Sequence, residues 1–290
     1  MSLPKITGKT KVFGIFGYPV EHSASPLMHN AAFEACGLDC VYVPFPVPPG
    51  QLKAAVAGVR AMGLGGVNVT IPHKEAVAEI LDDISPEAKL TGAVNTIINT
   101  DGRLTGYNTD GRGFLRSLEE EAGFLVQGKT VLILGAGGAA RGVAVQLALA
   151  GAKKITIANR RPERSTAIAD VVAGNTGAAA EVTDLAEKAL AGAITAADLI
   201  VNTTPLGMFP GTEAMPPLPV ELLGNRHLVA DLIYNPTETT LLQKARAAGA
   251  QTLGGLGMLL YQGAIAFELW TGQKAPVSIM RQALTAHFTV

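Results

Sequence analysis

Short runs of apolar residues alternate along this chain with longer stretches in which apolar residues recur at helical spacing. The runs predict buried strands, because a parallel strand covered on both faces reads as a continuous apolar run. Strands are predicted at residues 12–16, 41–45, 66–70, 92–98, 131–134, 155–158, 199–202 and 228–232. Helices are predicted at residues 26–36, 51–62, 139–150 and 258–270, before a shorter closing helix. This alternation is typical of α/β folds.

One of these strands ends abruptly in a turn of small residues, which are Gly135, Ala136, Gly137, Gly138 and Ala139. Gly135, Gly137 and Ala140 keep the spacing G-x-G-x-x-G/A of a dinucleotide-binding turn. There the first glycine permits the tight turn and the second lets the backbone approach a pyrophosphate. The N-terminus of the following helix offers N–H groups to the phosphates. An ordinary glycine-rich turn would look similar, but the order strand, turn, helix favours dinucleotide binding.

The residues after the next strand indicate which dinucleotide binds. Asn159 lies 24 positions after Gly135, where an NAD site carries an acid for the ribose 2′-hydroxyl. Here Asn159 is followed by Arg160, Arg161 and Arg164. A 2′-phosphate would find guanidinium partners there and no carboxylate to repel it. A solvated basic helix start is the alternative, but the missing acid favours NADP.

Length and composition predict two domains. The chain has 290 residues, 48% of them hydrophobic and 16% charged, which suits one large core or two modest ones. The strands before Asp110 and those after Gly128 form separate α/β sets. We therefore expect one α/β domain from residues 1–109 and 254–290, to which the helices after residue 254 return. Residues 110–253 are expected to form the second α/β domain.

Charge and cysteine content narrow the function classes. The net charge is −1 without a basic block, which argues against nucleic acid or a membrane surface as partner. The sequence has no apolar run near 18 residues and no signal-peptide pattern. Its two cysteines, Cys36 and Cys40, flank a turn and are expected to be reduced packing residues of a cytoplasmic protein. His22, His29 and His73 lack metal-ligand spacing, so we expect no metal, and His73 is expected at the surface or behind a site.

Polar residues at predicted helix starts are the candidates for chemistry. Ser25 suits an N-cap with Pro26 in the first turn, whereas capping does not explain Ser23. Two hydroxyls beside a helix N-terminus could also hold a carboxylate. Pro72 suggests that a helix begins there, which would place Lys74 in its first turn, where a cation opposes the helix dipole.

The residues alone do not decide the roles of two further positions. Asp110 either caps the helix that follows it or takes part in the chemistry. Thr203 lies in a loop that follows a predicted strand, where open α/β sheets bind ligands.

With these motifs placed, the chain resembles the shikimate dehydrogenase family over nearly its whole length. The motifs that carry the resemblance, beside the glycine turn, are residues 23–26, 68–74, 92–96, 108–111, 159–160, 202–205, 231–236 and 257–260 with Gln262. Each motif is short, but their number and order are specific. The resemblance implies an N-terminal substrate domain and a Rossmann-type NADP-binding domain. It also implies reversible NADPH-dependent reduction of 3-dehydroshikimate to shikimate, a step of chorismate and aromatic amino acid biosynthesis.

The resemblance also assigns residue roles. Ser23 and Ser25 match the serines that bind the substrate carboxylate, and Lys74 and Asp110 match the catalytic pair. Contacts to the substrate ring are implied for Asn68, Thr70, Asn95, Asp110, Tyr234 and Gln262. Cofactor contacts are implied for Gly135, Ala136, Gly137, Gly138, Ala139, Asn159, Arg160, Arg164, Thr203, Gly255 and Met258.

Two alternatives stay open. A quinate/shikimate dehydrogenase of the same superfamily could use either substrate and often uses NAD; Arg160 and Arg164 argue against it, whereas Arg161 weakens that argument. A non-catalytic NADP-binding sensor is the other alternative, and the presence of both Lys74 and Asp110 weighs against it. We expect a monomer or a homodimer.

Overall fold

The computed structural model describes residues 6–288, which divide into two compact units. The first unit runs through Thr109 and resumes at Leu260, and the second is Asp110–Leu259. No helix within the described residues is long and apolar enough to cross a membrane.

The first unit contains a mixed six-stranded sheet in the order β2-β1-β3-β5-β6-β4. Its strands are β1 (Lys11–Gly17), β2 (Cys40–Pro46), β3 (Gly66–Val69), β4 (Asp83–Ile84), β5 (Thr96–Thr100) and β6 (Arg103–Tyr107). β1 runs parallel to β2 and β3, whereas β5 runs antiparallel to β3 and β6. The helices are α1 (Ser25–Ala35), α2 (Leu52–Ala61), α3 (Pro86–Thr91), the part of α9 (Leu256–Thr271) from Leu260 onward, and α10 (Val277–Phe288).

Two apolar layers cover this sheet. One is aliphatic, where Val56 and Val59 of α2 pack with Val67 of β3. The other is aromatic and joins α1 to the sheet, with the rings of Phe13 and Phe33 5.3 Å apart. Burial of the apolar face of α1 supplies most of that helix's stability, because propensity alone contributes little.

The second unit contains six parallel strands in the order β12-β11-β10-β7-β8-β9. They are β7 (Thr130–Leu134), β8 (Lys154–Ala158), β9 (Ala179–Thr183), β10 (Leu199–Asn202), β11 (Leu228–Asp231) and β12 (Gln251–Leu253). The helices are α4 (Asp110–Ala122), α5 (Gly138–Leu149), α6 (Pro162–Asn175), α7 (Glu187–Ala196) and α8 (Thr240–Ala247). Numbered from β7, the order is 6-5-4-1-2-3, that of a doubly wound dinucleotide-binding sheet. The predicted α/β fold class is confirmed.

Alternate residues of β7 pack into two separate hydrophobic cores. Val131 and Ile133 pack with the helices on one face, while Leu132 and Leu134 pack with those on the other. All four side chains are at most 1% exposed. The continuous apolar run is therefore the signature of a strand covered on both faces.

Three local predictions are wrong. Ser25 does not cap α1, since the helix begins at Ser25 and the preceding residue makes no side-chain cap. Lys74 lies in turns before a short 3₁₀ helix, Ala76–Ile80, and not in a first helical turn. The strand predicted from residue 92 begins at Thr96, because Gly92 ends α3 with a left-handed φ of 66°. His73 was expected at the surface or behind a site; at 2% exposed it is buried, which excludes only the surface.

Candidate active site

One edge of the first sheet gathers most of the candidate substrate residues. β1, β3 and β6 end at this edge and β5 begins there, since Asn68 pairs with Thr96 and Thr96 with Tyr107. The segments that leave or enter the sheet at this edge, with the start of α1, carry five of the predicted residues, which are Ser23, Ser25, Thr70, Lys74 and Asn95. The topology thus brings side chains from distant parts of the sequence to one place.

Asn68 is held by three hydrogen bonds and is 5% exposed. Its Nδ2 donates to the Asn95 carbonyl over 3.1 Å and to Thr96 Oγ1 over 3.0 Å. Its Oδ1 accepts from the Tyr42 hydroxyl over 2.7 Å. Both amide protons are therefore committed, and the Asn68 carboxamide can offer a ligand only an acceptor.

Asn95 is the centre of a second buried cluster. Its Oδ1 accepts from the Thr109 backbone N–H at 2.8 Å and from Thr96 Oγ1 at 3.0 Å. Its Nδ2 donates to Thr109 Oγ1 at 3.0 Å and to Gln262 Oε1 at 3.5 Å. Gln262 of α9 thereby joins the same edge, although it lies far along the chain.

Backbone contacts place Lys74. Its carbonyl accepts from the Val94 N–H over 2.7 Å, and the His73 N–H donates to the Thr70 carbonyl over 2.9 Å. The buried His73 ring pairs its Nε2 with the Val47 carbonyl at 2.6 Å. A set of long-range bonds, and not a helix, therefore holds the half-buried Lys74.

The two serines differ in exposure. Ser25 is 6% exposed, and a hydrogen bond from its side chain opposes the rise that burial causes in the pKa of Tyr42. Ser23 is partly exposed, and its Oγ accepts from the Ser25 N–H at 3.3 Å. The local turn thus presents one accessible and one anchored hydroxyl.

In the second unit the glycine turn has the geometry of a phosphate cradle. Gly135 has a φ of +110°, and a methyl group added there would lie 2.6 Å from Thr203 Oγ1. Thr203 in turn donates its hydroxyl to the Leu134 carbonyl over 2.7 Å. Apart from the chain neighbours and the backbone of α5 itself, no described heavy atom lies within 4 Å of a methyl built at Gly137 or Gly138. The backbone there is open to a ligand, and no side chain in the described chain caps α5.

Three arginines follow β8. Arg160, Arg161 and Arg164 are exposed at the start of α6, and the Asn159 Nδ2 donates to the Arg161 carbonyl over 3.2 Å. Since the N-terminus of α6 is also the positive end of the helix dipole, this corner suits a phosphate.

A buried carboxylate ties together the loops after β10 and β11. Asp231 is 1% exposed and accepts from Asn202 Nδ2 at 3.0 Å, from the Ile233 N–H at 3.1 Å and from Thr239 Oγ1 at 2.8 Å. Burial raises the pKa of Asp231, and these three hydrogen bonds oppose that shift. The support that Asp231 gives to these loops was not predicted, although a polar residue at the end of an apolar strand is a sequence signal for it. The loops that it fixes carry Thr203 and Tyr234.

The remaining cofactor candidates lie after β12. The Gly255 N–H donates to the Ile233 carbonyl over 3.1 Å, and a methyl at Gly255 would clash with the Leu232 carbonyl. Only glycine permits that approach, which places the half-buried Met258 in the first turn of α9. Asp110 opens α4 at the start of the same unit.

A doubly wound parallel sheet with an open glycine turn, together with a separate α/β unit that has polar residues at one end of its sheet, is typical of a dinucleotide-dependent oxidoreductase. Family models match three stretches of the chain. They describe a shikimate dehydrogenase substrate binding domain at residues 15–97, a shikimate/quinate 5-dehydrogenase at 118–206 and a shikimate 5′-dehydrogenase C-terminal domain at 255–285. The chain belongs to the shikimate dehydrogenase family.

Relatives and solved structures are similar to this chain over almost its full length. A shikimate dehydrogenase (NADP(+)) of Desulforamulus reducens is 51% identical over 97% of this chain and 96% of its own. The structure of shikimate 5-dehydrogenase from Listeria monocytogenes with shikimate and NAD is 41% identical, with a TM-score of 0.94 over 98% of this chain and 99% of that one. Quinate dehydrogenase from Corynebacterium glutamicum with NAD is 36% identical, with a TM-score of 0.88 over 96% and 99%.

Proposed function

We propose that this protein is an NADP-dependent shikimate dehydrogenase that reversibly reduces 3-dehydroshikimate to shikimate, a step of aromatic amino acid biosynthesis. The observation that carries the proposal is the 51% identity, over 97% of the chain, to a relative with that name. The open glycine turn and the polar edge of the first sheet support it. We place the protein in the cytoplasm, as a monomer or a homodimer.

The substrate is held by hydroxyl and amide groups. Ser23 and Ser25 bind its carboxylate, and the more exposed Ser23 offers its proton more readily. The ring hydroxyls are met by Asn68, Thr70, Asn95, Asp110, Tyr234 and Gln262. The committed amide protons of Asn68 make it an acceptor for a substrate hydroxyl, and its buried network keeps it in that orientation.

Lys74 and Asp110 handle the proton. Oxidation of a secondary alcohol requires loss of the hydroxyl proton together with a hydride, and a positioned side chain removes the former. Lys74 and Asp110 are the amine and the carboxylate that we propose for that role. NADP supplies the hydride acceptor when bound.

The cofactor residues divide by the part of NADP that they would hold. Gly135, Ala136, Gly137, Gly138 and Ala139 would hold the pyrophosphate: a methyl group at Gly137 or Gly138 would enter open space, and no described side chain caps α5. Asn159, Arg160 and Arg164 bind the 2′-phosphate. Thr203, Gly255 and Met258 line the nicotinamide side.

Kinetics with four combinations test this function. The purified protein should oxidise shikimate with NADP⁺, and kcat/KM should fall strongly when quinate replaces shikimate or NAD⁺ replaces NADP⁺. A quinate/shikimate dehydrogenase is the second candidate, favoured by the similarity to a quinate dehydrogenase with NAD and by Arg161. Comparable kcat/KM values for both substrates or both cofactors would select that candidate. Absence of turnover in all four mixtures would contradict both.

A further inference from the structure

Tyr42 of β2 connects two parts of the candidate substrate site. Its side chain is fully buried, with 1% exposed, on the sheet face against which α1 packs. The hydroxyl donates to Asn68 Oδ1 over 2.7 Å, and a side-chain hydrogen bond from Ser25 opposes the rise that burial causes in the pKa of Tyr42. Ser25 belongs to the proposed carboxylate subsite and Asn68 to the proposed ring subsite. One hydroxyl behind the site therefore links both.

The chemistry of the partners fixes the direction of each hydrogen bond. The Asn95 carbonyl can only accept, so the Asn68 group that faces it must be Nδ2, which leaves Oδ1 toward Tyr42. Because Oδ1 can only accept, the Tyr42 proton is directed to Asn68. The bond between Ser25 and Tyr42 must then use the serine proton, and the chain runs from Ser25 through Tyr42 to Asn68.

Stacking fixes the Tyr42 ring. The imidazole of His29 lies on it with 4.5 Å between ring centroids and 15° between planes, and Trp270 lies 6.0 Å away. Neither His29 nitrogen has a hydrogen-bond partner among the described residues, and burial lowers the pKa of His29 to about 3. A neutral histidine thus holds the ring without competing for its hydroxyl.

We propose that Tyr42 is a positioning residue that pre-organises Ser25 and Asn68 for the substrate. Its hydroxyl sets the separation of their oxygens and keeps the Asn68 carboxamide as an acceptor. Fixing these groups before binding reduces the ordering cost of the complex, so the effect falls on substrate affinity. Tyr42 itself touches neither cofactor nor reacting atoms in this arrangement. The inference rests on the proposed function.

Tyr42→Phe tests this role, since phenylalanine keeps the ring stack and removes only the hydroxyl. KM for shikimate should rise about tenfold, which equals about 1.4 kcal/mol, the scale of one hydrogen bond. The kcat and the KM for NADP⁺ should stay within about twofold of wild type, because the chemistry and the cofactor cradle are untouched. A purely structural role would lower the melting temperature without this split between the two KM values.

Phe33→Leu is the matched control. Phe33 lies in the same aromatic layer, 5.3 Å from Phe13 and 5.5 Å from Phe267, but outside the hydrogen-bond chain. This variant should melt at a lower temperature with an unchanged KM for shikimate. A folded Tyr42→Phe enzyme with a wild-type or lowered KM for shikimate, or with both KM values raised equally, would overturn the proposal.

A second experiment keeps Tyr42 and tests the coupling between Ser25 and Asn68, which is needed if Tyr42→Phe does not fold. Ser25→Ala and Asn68→Ala each remove one end of the chain, so the shikimate Kd of the double variant should rise less than the product of the single increases. A fully multiplicative result would overturn the coupling. Wild-type turnover in the same assay separates the two hypotheses, since an inactive wild type contradicts the proposed function itself.

Discussion

Alanine should have different effects at two glycines of the same turn: it should lower stability at Gly135 and weaken cofactor binding at Gly137. At Gly135, with φ at +110°, alanine would adopt a backbone conformation that L-residues avoid, and its methyl would lie 2.6 Å from Thr203 Oγ1. Backbone strain of about 1–3 kcal/mol and overpacking of about 1–3 kcal/mol add to roughly 2–6 kcal/mol of lost stability. For a unit of this size, the melting temperature should fall by roughly 5–15 °C.

At Gly137 the methyl group would meet only open space, and φ is −96°, which alanine adopts freely. The stability of Gly137→Ala should therefore stay within about 0.5 kcal/mol of wild type. Its methyl would instead stand where we propose that the backbone approaches the pyrophosphate. Loss of one charged hydrogen bond costs about 1.5–3 kcal/mol, so the Kd for NADP⁺ should rise roughly tenfold to a hundredfold.

Thermal unfolding by circular dichroism and calorimetric titration with NADP⁺ measure the two effects separately. Gly174→Ala is the control, because Gly174 is exposed near the end of α6 and has the same open surroundings. It should leave the Kd for NADP⁺ unchanged and should not lower the melting temperature, since alanine is the better helix former. A Gly137→Ala protein that binds NADP⁺ normally would refute the assigned pyrophosphate path, and an unchanged melting temperature in Gly135→Ala would refute the strain at the turn.

Three other perturbations have distinct outcomes. Arg160→Ala should weaken NADP⁺ binding by about 1.5–3 kcal/mol in titrations while NAD⁺ binding stays the same, and equal losses would contradict a 2′-phosphate contact. Ser23→Ala/Ser25→Ala should raise KM for shikimate but not for NADP⁺. Because the Ser25 side chain also contacts Tyr42, a melting curve must show that the variant is folded. A folded variant with unchanged KM for shikimate would place the substrate carboxylate elsewhere. The folded pKa of His29 of about 3, against 6.5, means that the unfolded chain binds more protons between these values. The free energy of unfolding should thus fall by about 2 kcal/mol from pH 7.5 to pH 5. In denaturant titrations, His29→Phe should lose less stability over this pH range. If the variant loses as much stability as wild type, His29 is not the source of the pH dependence.

The sequence predicted best where the structure is local. β7, the glycine turn and α5 are consecutive, and each residue type there has one dominant backbone or packing requirement. The apolar runs likewise indicated the strands of the second unit, because burial on both faces leaves a signal in every residue of a strand.

Prediction failed where long-range contacts override local preference. Pro72 suggested a helix start, yet the hydrogen bonds of His73 to Val47 and of Val94 to Lys74 hold that segment in turns. Ser25 was predicted to cap α1, but its side chain instead contacts Tyr42 of β2, the next strand along the chain. Neither partner is adjacent in sequence, so no local pattern could show it.

The Asn68 network had no signal in the sequence for the same reason. Tyr42 and Asn68 are separated by 26 positions and belong to strands that flank β1. The residues were visible as polar groups at strand ends, but which atoms donate and which accept became clear only from the packed sheet.

The kcat of Lys74→Ala tests most directly whether this protein removes a proton from shikimate as proposed. General acid–base assistance is worth about 10²–10⁴-fold, so kcat should fall on that scale while the Kd for shikimate changes little. Lys53→Ala is the control, since Lys53 is an exposed lysine of α2, and it should keep normal kcat. If Lys74 and Asp110 act as one unit, adding Asp110→Asn should cost little beyond the worse single change. A Lys74→Ala enzyme that binds shikimate and turns over at the wild-type rate would contradict the proposed chemistry.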